Sequence, residues 1–286
     1  MHSTSSPDDC DQLPHRLEFV DTHAHLDDGA FDVDRDEVIL RARAAGLGSI
    51  VLIGYHEEIW DRTVATARSF AGGLVALGLH PQHADEYDAS TTDRLRSKVL
   101  SAGAVAIGET GIDLFRDGPA VAQQQLAFRA QLDLAWELRL PTIIHQRAAE
   151  DETLSILMET PAEQLIVLHS FDAGERTATI ARDRGWYLGI GGLMTRVASD
   201  AVRRIIRDFP MDRLLLETDS PYLVPTGVRM RRNEPANVVA VAERLAELRE
   251  LPVNSIASET TANARRVFHA PAPSSSTETH QDCTED

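Results

Sequence analysis

The sequence predicts an α/β fold, a (β/α)8 TIM barrel, and three observations lead there. Eight short, β-branched or leucine-rich runs recur along the chain, separated by amphipathic stretches of helical period. With 286 residues, 43% of them hydrophobic, the chain is long enough to bury one core of that size. Several of the runs close on a histidine or a carboxylate, where enzymes of this architecture carry their active sites.

Taken in order, the first run (17–22) holds Leu17, Phe19 and Val20 and leads into Asp21-Thr22-His23-Ala24-His25. A helical pattern at 34–45 follows. The second and third runs (49–54 and 74–79) flank a helix at 57–71, and the third leads into His80. After a helix at 90–101, the run 104–109 ends on Glu109. The stretch 120–139 spaces Gln123, Leu126, Phe128, Leu132 and Trp136 for a helix packed on the barrel, not for a base-stacking platform. The run 141–145 ends on His145 and 165–169 on His169, with a helix at 150–158 between them. Helices at 174–184 and 199–208 flank the run 186–191. The eighth run, 213–218, leads into Asp219, followed by a helix at 236–250 and a last one at 253–268 at the barrel periphery. Repeated βα units imply a parallel sheet with right-handed crossovers. Six candidate ligands spread over five strand ends favour closure into a barrel over an open doubly wound sheet.

The ends differ in composition. Residues 1–15 and 271–286 are poor in apolar side chains and rich in Ser, Thr, Pro and Asp, so they are expected to be disordered tails around one domain at 16–270. The net charge is −17. Residues 1–17 contribute −2 (three Asp, one Arg) and residues 271–286 contribute −4 (two Asp, two Glu). That acidity excludes a protein that coats nucleic acid through a basic surface. It says little against a phosphodiesterase whose carboxylates carry divalent cations, because the ions reverse the local sign. Cys10 and Cys283 are the only cysteines and lie in the tails, which excludes a thiolate metal site in the core and fits a reducing compartment. No apolar run approaches a membrane span, and the N-terminus lacks the apolar segment of a secretory signal. The expected location is the cytoplasm, with no membrane contact and no obligate protein partner.

Alternate residues of a strand face the same side, so His23 and His25 can share one cation. Alone, such a pair is most often ordinary surface or core histidine. With Glu109, His145, His169 and Asp219 at equivalent positions, it reads as a metal site. Six ligands exceed the need of one four-coordinate ion. Two divalent ions (Mg2+, Mn2+ or Zn2+) bridged by a carboxylate use them economically and suit phosphodiester hydrolysis. Asp219 could also take a proton from the attacking water. A carboxylated lysine bridge is excluded in practice, because the chain has one lysine, Lys98, inside a helical pattern. Glu109 is therefore the candidate bridge.

At these residues the chain resembles the TatD family of metal-dependent deoxyribonucleases, within the amidohydrolase superfamily of barrels. The motifs that carry the resemblance are Asp21-Thr-His23-Ala-His25, Gly78-Leu-His80-Pro81, Gly108-Glu109-Thr-Gly-Ile-Asp113, His145-Gln-Arg147, His169-Ser-Phe-Asp-Ala-Gly174 and Glu217-Thr-Asp219-Ser-Pro221-Tyr222. Arg232-Asn233-Glu234-Pro235 and Thr261-Ala-Asn263-Ala-Arg265 follow. The resemblance implies that His23, His25 and Asp219 hold one cation, that Glu109 bridges, and that His145 and His169 hold the second. It also implies that His80 faces the substrate phosphate and that the enzyme cuts DNA, single strands preferred, in the 3′→5′ direction. Two departures bear on substrate choice: Leu114-Phe115 follows Asp113 where the family has an aromatic at once, and Leu188–Thr195 is glycine-rich.

Other polar residues have blander roles. Asp21 and Glu217 precede ligands by two residues and are expected to orient imidazoles rather than ligate. Asp113 is expected to fix its loop. Arg229, Arg231 and Arg232 are out of character in so acidic a chain, and Arg231 and Arg232 are candidate phosphate contacts, as is Arg147. The alternative functions are a superfamily hydrolase of a lactone or amide, and a non-catalytic binding module, against which the intact ligand set speaks.

Overall fold

Eight strands lie parallel and in chain order in one sheet: β1 (Phe19–Ala24), β2 (Leu47–Gly54), β3 (Gly73–Leu77), β4 (Ala106–Asp113), β5 (Thr142–Arg147), β6 (Ile166–Leu168), β7 (Tyr187–Ile190) and β8 (Leu214–Leu216). The computed structural model describes residues 17–268; the tails expected at 1–15 and 271–286, and the two cysteines, lie outside the described residues. The ring closes between β8 and β1. The Asp219 N–H donates to His23 O (2.9 Å), the His25 N–H donates to Ser220 O (2.8 Å), and Ala24 bridges Ser220.

Helices alternate with the strands: α1 (Arg35–Ala44), α2 (Trp60–Ser69), α3 (Thr91–Ala102), α4 (Val121–Leu138), α5 (Glu150–Leu157), α6 (Glu175–Arg184), α7 (Asp200–Asp208) and α8 (Val238–Arg249), followed by α9 (Val253–Phe268). None of the described helices is long and apolar enough to cross a membrane. The barrel interior is filled by Val20, Val51, Ile53, Ala76, Ala106, Ile143, Val167, Tyr187 and Leu215, one or two from each strand. The other face of each strand, with Leu52, Leu77, Ile107, Ile144 and Leu188, packs on the helices.

Three elements differ from expectation in ways that matter for the site. First, α9 stands outside the strand ring, as expected, but Ala264, Val267 and Phe268 join the interior cluster, so it plugs the barrel's N-terminal end. Asn263 holds it there by donating to Met211 O and Leu214 O (both 2.9 Å). Second, α4 leaves Leu126 and Trp136 exposed and buries Gln124 and Gln131 with Phe128 and Leu132. Those glutamines are needed to satisfy backbone groups at the barrel mouth. Gln131 bonds Leu79 N, Leu79 O and Thr110 Oγ1, and Gln124 bonds Asp113 N and O. Third, β4 runs on past Glu109 to Asp113, with a register shift between Ile107 and Thr110. Gly108, at φ +140°, makes that break possible, since a Cβ there would sit 2.6 Å from Ile143 O.

Candidate metal centre

Strand ends carry the expected side chains to one place. His23 comes from β1 and His25 from just beyond it, Glu109 from the irregular middle of β4, His145 from β5, His169 from just beyond β6 and Asp219 from beyond β8. Asp219 sits at φ 55°, a left-handed conformation held by its own backbone bonds, to His23 O and from Tyr222 N (2.8 Å). All of these side chains but the fully buried His23 line a cavity of about 570 Å³ at the C-terminal end of the barrel.

The donor atoms converge on two carboxylates. Glu109 Oε2 lies 3.3 Å from His23 Nε2, while Oε1 lies 2.7 Å from His145 Nδ1 and 3.8 Å from His169 Nε2. Asp219 Oδ1 lies 3.3 Å from His25 Nε2, 3.8 Å from His23 Nε2 and 3.9 Å from His169 Nε2. Three groups able to hold a metal result: His23, His25 and Asp219; His23, Glu109 and His169; and His80, Glu109 and His145. Glu109 belongs to two of them. His169 groups with His23, onto whose ring it stacks at 3.5 Å, and not with His145 as the family resemblance implies.

The surroundings orient the rings. Asp113 Oδ2 sits 3.1 Å from His145 Nε2, which turns Nδ1 toward Glu109; its Oδ1 accepts from the Phe115 and Arg116 N–H groups. Glu217 Oε1 lies 3.0 Å from His169 Nδ1 and accepts from Ser170 N (2.6 Å), leaving Nε2 for the centre. Glycine at 189 makes room for Glu217, because a Cβ there would meet Oε2 at 2.1 Å. Asp21 is taken up by the His23 and Thr218 N–H groups and the Thr218 hydroxyl, and burial pushes its carboxyl up to about 7. It braces the β1–β8 seam and offers nothing to the centre.

Charge is balanced within the cluster. Burial raises the Glu109 and Asp219 carboxyls, but the surrounding imidazoles outweigh it and hold both below their ordinary values, Glu109 well below. Burial lowers His169, yet the Glu217 and Glu109 carboxylates outweigh it and push the ring up to about 10. His23 is lowered by burial and by the neighbouring His169.

These residues fit divalent cations. Both ring nitrogens of fully buried His23 lack a hydrogen-bond partner, a state that costs roughly 1–3 kcal/mol per buried polar group unless something else pairs with it. A cation at His23 Nε2, held with His25 and Asp219 or with Glu109 and His169, would remove that cost for one of the two nitrogens, and the mixed imidazole and carboxylate donors suit Zn2+ or Mn2+ better than Mg2+.

His80 belongs to the third of these groups, and its ring is also set to donate. Its Nδ1 accepts from the Gln82 N–H (3.1 Å), so the ring proton sits on Nε2, which points at the centre 3.7 Å from Glu109 Oε1. Burial pulls the imidazole down to about 3, so it is neutral.

Of the arginines singled out in the sequence, the structure brings Arg147 to the cavity and not Arg231 or Arg232. Arg232 lies over Phe31 (4.3 Å) and pairs with Asp34 (2.8 Å) and Glu234 (3.0 Å), a buried-edge network shared with Arg41. The acids at 34 and 234 claim it, so its assignment as a phosphate contact is replaced by a role in anchoring the loop after β8. Asn233 completes that anchor by donating to Thr218 O (2.8 Å). The sequence reading also missed Arg116, Tyr55 and Tyr222, which line the cavity. Tyr222 closes a quoted motif and Arg116 directly follows Leu114-Phe115, but neither was given a role; nothing in the sequence around Tyr55 distinguishes it.

Comparison with known proteins agrees with the geometry. A family model described as TatD related DNase matches residues 20–269. The chain is 39% identical over 251 residues to the Bacillus subtilis protein named uncharacterized metal-dependent hydrolase YabD, covering 87% of this chain and 98% of that one. It is 38% identical over 255 residues to the 3′-5′ ssDNA/RNA exonuclease TatD of Cronobacter turicensis, covering 87% and 97%. The crystal structure of YjjV, a TatD homologue from Escherichia coli, superposes with a TM-score of 0.81 at 32% identity, covering 88% and 98%.

Proposed function

The chain belongs to the TatD-related DNase family of metal-dependent hydrolases, and from that premise we propose that it hydrolyses DNA phosphodiester bonds with two divalent cations, shortening single strands from the 3′ end. The observation that carries the reading is Glu109, whose two oxygens face different donor groups within one buried cluster. Bound divalent cations would supply Lewis-acid polarisation of a phosphoryl oxygen and a water of lowered pKa.

The residues divide the remaining work. His23, His25 and Asp219 would hold one ion and Glu109 would lie between the two. His145 would hold the second, with His169 placed to reach either. Asp219, kept ionised and fixed by its backbone, is positioned to accept a proton from an attacking water. His80 presents a neutral Nε2–H to charge that develops on a non-bridging oxygen, without repelling either cation. Arg147 and Arg116 border the same cavity and suit an anionic strand better than the neutral carbonyl of a lactone or amide. The name of the Cronobacter relative, a 3′-5′ ssDNA/RNA exonuclease, supports both the direction and the single-strand preference.

The test is hydrolysis of 5′-labelled single- and double-stranded DNA with Mg2+, Mn2+ or Zn2+, beside a panel of lactones and phosphate monoesters. The expected result is a ladder of 3′-shortened products, strongest from single strands. Intact DNA together with turnover of a lactone would replace this reading with the carbonyl one.

A further inference from the structure

Among the described residues one group of histidine and carboxylate donors stands apart from the barrel floor: His56, His83 and Glu86. His56 lies in the loop after β2. His83 and Glu86 lie in a 3-10 turn, Pro81–Glu86, after β3. A 3-10 turn has three residues per turn, so positions 83 and 86 share one face. That face meets His56. The two imidazoles stack at 4.0 Å with 19° between their planes, and both aim a nitrogen at the same carboxylate. His56 Nε2 lies 2.7 Å from Glu86 Oε2, and His83 Nδ1 lies 3.0 Å from Oε1. On the far side of the His56 ring, Glu58 Oε2 is 4.0 Å from Nδ1, where it can steady the tautomer that leaves Nε2 free to ligate.

No Arg or Lys among the described residues pairs with Glu86, whereas nearby Glu57 and Asp61 pair with Arg94 and Lys98. The group also adjoins the active cavity. His83 lines it, and the Tyr55 ring stands between His83 (6.1 Å) and His25 (5.3 Å).

We propose that His56, His83 and Glu86 form a third divalent-cation site at the cavity rim, and that its ion takes a phosphate oxygen of the bound strand beside the scissile bond. Two imidazoles and one carboxylate select Zn2+ over Mg2+ or Ca2+. Three protein donors leave a tetrahedral ion one open position, as in sites where a ligand oxygen binds. Such an ion supplies positive charge at a rim whose neighbours Glu57, Glu58 and Asp85 are acidic. The phosphate half of the proposal rests on the nuclease reading; the metal half does not.

Crystals of the full chain grown with Zn2+ and measured at the zinc absorption edge test both halves. An anomalous peak is expected about 2.0–2.1 Å from His56 Nε2 and His83 Nδ1, and it should vanish in Glu86→Gln while the barrel-floor peaks stay. Inorganic phosphate added to the same crystals should appear on the open position of that ion. Peaks confined to the barrel floor, or no peak anywhere, would overturn the site. A rim zinc that stays free of phosphate would overturn the phosphate half. A peak at the rim alone would support this site and count instead against the two-ion centre.

Discussion

At Glu109 one carboxylate lies within reach of His23, His145, His169 and His80, held there by a break in the β4 register. The sequence located this residue but placed it at a strand end; the strand in fact continues to Asp113, which then fixes His145. That continuation is illegible locally, because Glu-Thr-Gly-Ile-Asp carries two turn-type residues and only pairing with β5 makes it a strand. His80 shows the finer grain of the same scale. Its role depends on which nitrogen holds the proton, and the Gln82 N–H decides that. Losing one preorganised donor costs on the order of 10²-fold in kcat. His80→Ala should therefore cut kcat about that much in steady-state hydrolysis of an oligonucleotide while leaving bound metal unchanged. Loss of a metal equivalent in elemental analysis of this variant would instead make His80 a ligand.

Among the elements, the loops after the strands were the least legible. Strand and helix existence followed from apolar periodicity, and all eight runs became strands. The loop after β8 was misjudged at Arg232, because three arginines in four positions suggest phosphate while the acids that claim one of them, Asp34 and Glu234, sit just before α1 and two residues further on. The α4 glutamines were missed because their partners are backbone groups of other elements. These placements separate two kinds of arginine. A charge-assisted contact contributes roughly 1.5–3 kcal/mol, so Arg147→Ala or Arg116→Ala should raise KM for single-stranded DNA about tenfold with the melting temperature unchanged. Arg232→Ala should do the reverse, lowering the melting temperature by several degrees, as expected for about 2 kcal/mol in a chain of this size. Calorimetry and steady-state kinetics on the three variants check the split, and a KM effect confined to Arg232→Ala would invert it.

For the molecule as a whole, the barrel and its closure were legible because the repeat is a pattern of whole βα units with donors at five strand ends, whereas the contacts that make the seam and the bottom were not. The seam relies on Asp21 and Thr218, and the bottom on α9, through contacts between residues about 200 and 50 positions apart in sequence. We propose that the terminal segments outside 16–270 add nothing to the barrel mouth or to the closed end, given their composition and their −7 of charge, which would slightly repel a polyanion at low salt. A chain trimmed to residues 16–270 should fold, hold its metals and hydrolyse DNA at least as fast as the full chain at low ionic strength. A trimmed chain that stays folded and metal-loaded but is inactive would mean that a terminal segment reaches the barrel mouth.

The central claim is that hydrolysis depends on two cations held on either side of Glu109. Its most direct test is the rate of single-stranded DNA hydrolysis by the chelator-stripped protein as Mn2+ is returned, run beside Glu109→Ala. No rate is expected without the ion, with a rise close to second order in Mn2+ at low occupancy and no recovery at any concentration for Glu109→Ala. Full hydrolysis by the stripped protein, or restoration of Glu109→Ala to the rate of the unaltered chain, would contradict it.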